Sequence, residues 1–160
     1  MQDALLSFCK WLENTPWALF IGRSLWAYPV VQAIHFSGLS LWVGTIVVID
    51  FRFLGLGGRR QPAGRLAEQL VPWTWTGLGI ALLGGILLFA ASASAYFRNP
   101  AFRIKFLVLV VGITYHIIIQ RNLSKWGQSL ATPPVAKLAT VTELALWICV
   151  ITAAVEIPNH

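Results

Sequence analysis

Residues 35–57 read HFSGLSLWVGTIVVIDFRFLGLG. From Phe36 to Ile49 no side chain carries a charge. The wider apolar stretch, residues 28–54, is longer than the about 20 residues a helix needs to cross ~30 Å of hydrocarbon. It therefore predicts a transmembrane helix. Yet His35 stands near its start, and Asp50-Phe51-Arg52 closes it. A charged or titratable group in hydrocarbon costs about 2.5–3.5 kcal/mol or more, so each of these residues needs a partner or a purpose.

The whole chain repeats that character. Of 160 residues, 57% are hydrophobic and 11% charged, against about 25% charged in a soluble domain, and mean hydropathy is +0.69. Eight tryptophans fall mostly near the ends of apolar blocks, where an amphipathic ring sits best. The net charge of +6 is scattered through short loops instead of gathered on one face, which favours anionic headgroups of the lipid bilayer over nucleic acid as the partner. Cys9 and Cys149 lie in dissimilar segments and predict no disulfide. No CxxC or CxxCH spacing supports Fe–S ligation or covalent haem.

Working outward, residues 1–27 form an interfacial N-terminal segment. Leu5, Phe8, Cys9 and Leu12 share one helical face, as in a helix lying in the membrane plane. Thr15-Pro16 reads as an N-cap and N1 pair that starts a second short helix. Met1-Gln2-Asp3 lacks the basic opening of a signal peptide, so this segment is expected to stay in the mature chain. Residues 28–157 form one transmembrane domain, with spans at about 28–54, 71–97, 102–120 and 135–157. Arg98-Asn99-Pro100 separates the second from the third, and Pro133-Pro134 opens the fourth. The fold class predicted is all-α: an integral membrane four-helix bundle with an N-terminal interfacial amphipathic helix. The side bearing the termini has five basic residues and the side bearing the first and third connections has seven, which places the termini externally.

Lipid is as apolar as leucine, so such helices associate through small residues and polar contacts. Gly77, Ala81 and Gly85 recur every four residues in the second span, and Ser40 and Gly44 in the first. Either stripe could join spans within the chain or face another subunit. Among polar residues, Asp50 and Arg52 read as a membrane-edge charge pair, or alternatively as a docking point or half of an ion gate. His35 and His116 invite bis-imidazole ligation of haem b, with His35 the first candidate. However, parallel helices would set the two rings about 14 Å apart in depth. His116 and Glu143 fall at similar height and predict a polar intramembrane pair, with Thr45, Thr76 and Thr114 as possible neighbours. His35 lies in the other half, near Gln32, Ser92, Tyr96 and Thr152. It could be a satisfied core histidine or the single protein ligand of a haem. Glu156 closes the set of boundary charges.

No catalytic motif and no metal-ligand cluster emerges. The pattern His35-x-x-Gly38, Gly44, then Asp50-x-Arg52-x-Leu54-Gly55 resembles a family of small, uncharacterised bacterial membrane proteins with about four spans. The likeness extends through Pro72-Trp73, Asn99-Pro100-Ala101-Phe102 and Lys105, and covers most of the chain after residue 11. His116 does not fall where that family's third-span histidine would. The resemblance implies the bacterial inner membrane. In size and helix count alone the chain also looks like small b-type cytochromes.

Two functional expectations follow. One is an accessory or anchoring subunit of a larger membrane complex, redox-related, with electron transfer through a haem b at His35, partnered by other membrane subunits or by itself. The other is a proton- or solute-handling protein using His116, Glu143 and Asp50.

Overall fold

The computed structural model describes residues 2–56, 62–127 and 133–155. Glu156 and the loop arginines Arg59 and Arg60 lie outside these. Seven helices and no strand occupy the described residues: α1 (Gln2–Glu13), α2 (Pro16–Arg23), α3 (Ala27–Leu54), α4 (Ala63–Ala91), α5 (Ala93–Arg98), α6 (Pro100–Trp126) and α7 (Pro134–Val155). Four stretches are long and apolar enough to cross a membrane: Ala27–Leu54, Ala63–Ala91, Pro100–Asn122 and Pro134–Thr152. They pack as a bundle, with α3 against α4 as the most extensive contact, then α6 against α7 and α3 against α7.

The outward faces carry large apolar side chains, among them Leu83, Leu107, Leu138 and Ile148, each more than 60% exposed. A surface of that kind is stable only when acyl chains cover it. This is the architecture of a multi-pass membrane protein.

Local chemistry sets the helix ends. Gly55 closes α3 in the left-handed region at φ 85°, and the Leu56 N–H reaches back to the Phe51 carbonyl at 2.9 Å. That closure favours glycine, which has no Cβ to clash there. Asn99 Oδ1 accepts the Ala101 N–H at 2.8 Å, and Pro100 supplies the first helical residue of α6. Thr15 precedes Pro16 in extended geometry, but it does not cap α2 with its side chain. Its hydroxyl donates instead to the Leu12 carbonyl at 2.7 Å, closing α1. Glu13 reaches across to α5, where its carboxylate accepts the Ser94 N–H at 2.7 Å and the Ser94 hydroxyl. A side chain of α1 thus caps another helix and ties the N-terminal segment to one end of the bundle.

The second apolar helix differs from its expected limits of 71–97 at both ends. Charged Arg65 and Glu68 read from sequence as part of a loop before the span. In the structure the helix already runs from Ala63, because Ala63, Gly64 and Ala67 turn inward while Arg65 and Glu68 stay exposed. At the other end Ser92, with φ −152° and ψ 41°, breaks the chain into α4 and α5.

The α3–α4 crossing is antiparallel and close. A Cβ on Gly38 would lie 2.5 Å from the Ala81 nitrogen, and one on Gly77 would lie 2.6 Å from the Trp42 nitrogen. Gly77 and Ala81 of the expected stripe therefore pack inside the chain. The third member, Gly85, is only half-buried, and the neighbouring Gly84 makes the tighter contact, with His35. Ser40 and Gly44 do not contribute to this packing. Both are exposed, with nothing within 4 Å of a Cβ on Gly44; Gly38 fills the role expected of them.

Candidate functional site

Each of the four long helices presents an apolar stripe to the bundle interior, and each stripe also holds buried polar side chains near mid-bundle. On one side of that level Ile49, Phe53, Ala63, Ala67, Ile119 and Ala136 form an apolar cluster. On the other side Trp42, Ile46, Leu78, Trp147 and Val150 form a second. Between the two fall Thr74 of α4, His116 of α6, and Thr140 and Glu143 of α7, while on α3 Thr45 and Asp50 flank the same level from within the two clusters. All six are at most 8% exposed. The arrangement is a polar layer held between two greasy ones.

Its centre is the His116–Glu143 contact, Nδ1 to Oε1 at 2.5 Å, with both residues almost wholly buried. The sites lie on antiparallel neighbours, as Gly112 against Trp147 one turn away also shows. A carboxylate accepts, so the proton between these atoms rests on the imidazole or is shared. Glu143 also acts electrostatically on Asp50 of α3. Three titratable groups from three helices are thus buried in adjoining turns of the bundle. Asp50 Oδ2, His116 Nε2 and the nearby Gln120 Nε2 are buried without a hydrogen-bond partner among the described residues. Trp42 Nε1 and Trp147 Nε1 of the neighbouring apolar cluster are unpartnered too, and each such orphan in a packed interior calls for a reason, a bound water or a moving proton among them. Thr74 donates to Thr45 at 2.8 Å, and Thr45 donates to the Trp42 carbonyl, so the hydroxyls beside the acids are ordered. The Trp75 ring lies 6.3 Å from that of His116.

Asp50 and Arg52 were expected at the membrane edge. Both are buried, at 1% and 8%, and a spacing of two residues turns them to different sides of α3. Thr76 and Thr114, expected near the pair, are exposed and bond their own helices. Thr74 and Thr140 take that place. Sequence reading missed them because a threonine among apolar residues is unremarkable until the buried stripe of its helix is known.

His35 is far from this layer. Its Nδ1 bonds the Ala81 carbonyl oxygen at 2.7 Å, so Nδ1 carries the proton and, in the neutral ring, Nε2 carries the lone pair. Gly84 lets it approach: a Cβ there would be 2.8 Å from His35 Cβ. Its expected neighbours are engaged elsewhere, Tyr96 with Tyr28 at 3.3 Å and Thr152 with its own helix. The structure does not bring His35 and His116 together. One packs at Gly84 and the other beside Trp75, nine residues apart on α4 and therefore about 14 Å in depth. A single-ligand role suits His35, because a carbonyl-bonded Nδ1 with Nε2 unprotonated is the usual state of a ligating histidine. Cys9 is buried, Cys149 exposed, and both are free thiols. Among the described residues, no group of three or more His, Cys, Asp or Glu side chains is arranged to hold a metal ion.

No curated protein and no solved structure matches this chain. A family model does match, over residues 8–158, a range that contains the polar layer, the glycine crossing and His35. The chain belongs to the family of unknown function DUF6644.

Proposed function

We propose that this protein handles protons inside the membrane, alone or coupled to a small solute, through Asp50, His116 and Glu143. The observation that carries the proposal is the burial of three titratable side chains from three helices in adjoining turns of the bundle, two of them in contact, with Asp50 Oδ2 and His116 Nε2 unpartnered. Intramembrane ionisable groups are expensive and mark proton relays and ion paths in membrane bundles. A group of two acids and an imidazole can hold one proton more or fewer at modest cost, because the neighbours share the change. The basic-residue balance supports an orientation with the connections after α3 and α6 in the cytoplasm, and the family likeness supports the bacterial inner membrane. The test is reconstitution into liposomes with a pH-sensitive dye inside. Flux above that of empty vesicles, lost in Glu143→Gln and in Asp50→Asn, is the expected result. Equal flux in wild type and both variants overturns the proposal.

A second reading, an accessory subunit of a larger redox complex, rests on a different observation. The outer face of α3 carries Ala33, Ser37, Ser40 and Gly44, all exposed, a surface suited to close approach by a helix of another chain. In that reading His35 would be the one protein ligand of a haem b. Co-purification of a partner at fixed stoichiometry, and a Soret band abolished by His35→Ala, are its expected results.

A further inference from the structure

At the end of the bundle where α1 and α2 meet the last turn of α4 lies an open cleft of about 300 Å³, lined by Glu13, Asn14, Ala18, Gly22, Arg23 and Ala91, with Leu19. We propose that this cleft binds a phospholipid headgroup that joins a primary ammonium to a phosphate, the chemistry of phosphatidylethanolamine. The proposal is independent of proton handling.

Position comes first. Ala91 ends a membrane-length helix, so the cleft sits where hydrocarbon gives way to headgroups. The surrounding helices expose Trp11, Trp17, Phe20 and Trp26, the ring types that settle at that depth.

Charge comes second. Arg23 lines one part of the cleft and pairs with no carboxylate among the described residues. Its guanidinium presents parallel donors that match a phosphate. Acceptors line the rest. The Glu13 carboxylate is held in place by the Ser94 N–H and hydroxyl and keeps lone pairs to spare. Asn14 donates its amide to the Lys10 carbonyl at 2.7 Å, which leaves its own Oδ1 to accept. Gly22 brings α2 against the Ala91 carbonyl oxygen, from which a Cβ there would stand 3.2 Å, and Ala91 itself lines the cleft. That carbonyl is at the negative end of α4. A carboxylate, an amide oxygen and a carbonyl suit the three N–H donors of a primary ammonium. A quaternary ammonium has none to give.

The test uses the full-length protein extracted from vesicles and weighed with its lipids by native mass spectrometry. The probes are phosphatidylethanolamine, phosphatidylcholine and phosphatidylglycerol with identical acyl chains. Retention of phosphatidylethanolamine about tenfold above phosphatidylcholine is expected, the worth of one hydrogen bond to a charged group. Arg23→Gln and Asn14→Ala, both at exposed positions, should erase that preference while thermal unfolding is unchanged. Equal retention of the two zwitterionic lipids overturns the proposal, as does a preference that survives both substitutions. Phosphatidylglycerol held more tightly than phosphatidylethanolamine also overturns it, because simple adsorption of anions at Arg23 would then suffice.

Discussion

His35 and His116 share one chain and one solvent, and the bundle solves the problem of each differently. His35 uses backbone. Its Nδ1–H is taken by the Ala81 carbonyl, an acceptor reachable because Gly38, Gly77 and Gly84 let α3 and α4 nearly touch. His116 uses side chains. It is held by Glu143, with Asp50 buried on the neighbouring α3. The first solution is rigid and local, because a helical carbonyl cannot change its charge. The second pools protons among groups that can each gain or lose one, which is why the functional proposal attaches to His116 and not to His35.

The largest expected effect breaks the second solution. His116→Leu strands the buried Glu143 without its partner, and loss of one partner of a buried pair costs about 3–5 kcal/mol. Combining it with Glu143→Leu should recover much of that loss, since no orphan charge remains at the pair. Unfolding by SDS in mixed micelles measures both. Additive losses would show that the two residues act separately and would dissolve the polar layer as a unit. The next effect breaks the first solution. Gly77→Ala drives a methyl against the Trp42 backbone, and overpacking of this kind costs roughly 1–3 kcal/mol. Gly44→Ala, with open space around it, should stay within about 0.5 kcal/mol. Gly85→Ala belongs between them, because its methyl meets only the His35 ring, at 3.2 Å, which can shift. If Gly77→Ala is as mild as Gly44→Ala, the crossing is looser than this geometry.

The same contrast explains what the sequence disclosed. Four spans were legible because a bilayer sets helix length and composition directly. The common depth of His116 and Glu143 was legible because a helix rises by a constant amount per residue. Azimuth was not. Whether Asp50 points to the axis or the rim, and whether Gly44 or Gly38 meets α4, depends on how the helices rotate about their axes. Lipid gives little help there, since apolar residues cover every face of α3 and no polar face marks the outside. The limits of α4 were obscured for a related reason. Ala63, Gly64 and Ala67 are small, and their inward stripe was hidden among charged neighbours.

Two smaller effects sharpen the comparison from its edges. Thr74→Val removes the hydrogen bond to Thr45, while Thr45 keeps its bond to the Trp42 carbonyl. The expected loss is about 1 kcal/mol, and a larger one would mean that Thr74 also supports the neighbouring acids. At the other end, Tyr96 on α5 is pushed up from 10.0 to about 12, first by burial, then by its hydrogen bond and charge interaction with Tyr28. The folded chain therefore holds the Tyr96 proton more tightly than the unfolded chain does. Its contribution is fully present below pH 10 and disappears as pH rises through the folded value. Because Tyr96 is only half-buried, solvent screening keeps the effect small. The check is the difference in stability between wild type and Tyr96→Phe across that interval, together with tyrosinate absorbance. Tyr28→Phe should lower the midpoint but leave it above the ordinary range, because burial is the larger cause. A return all the way to the ordinary range would assign the shift to the tyrosine pair and leave burial at this end of the bundle without effect.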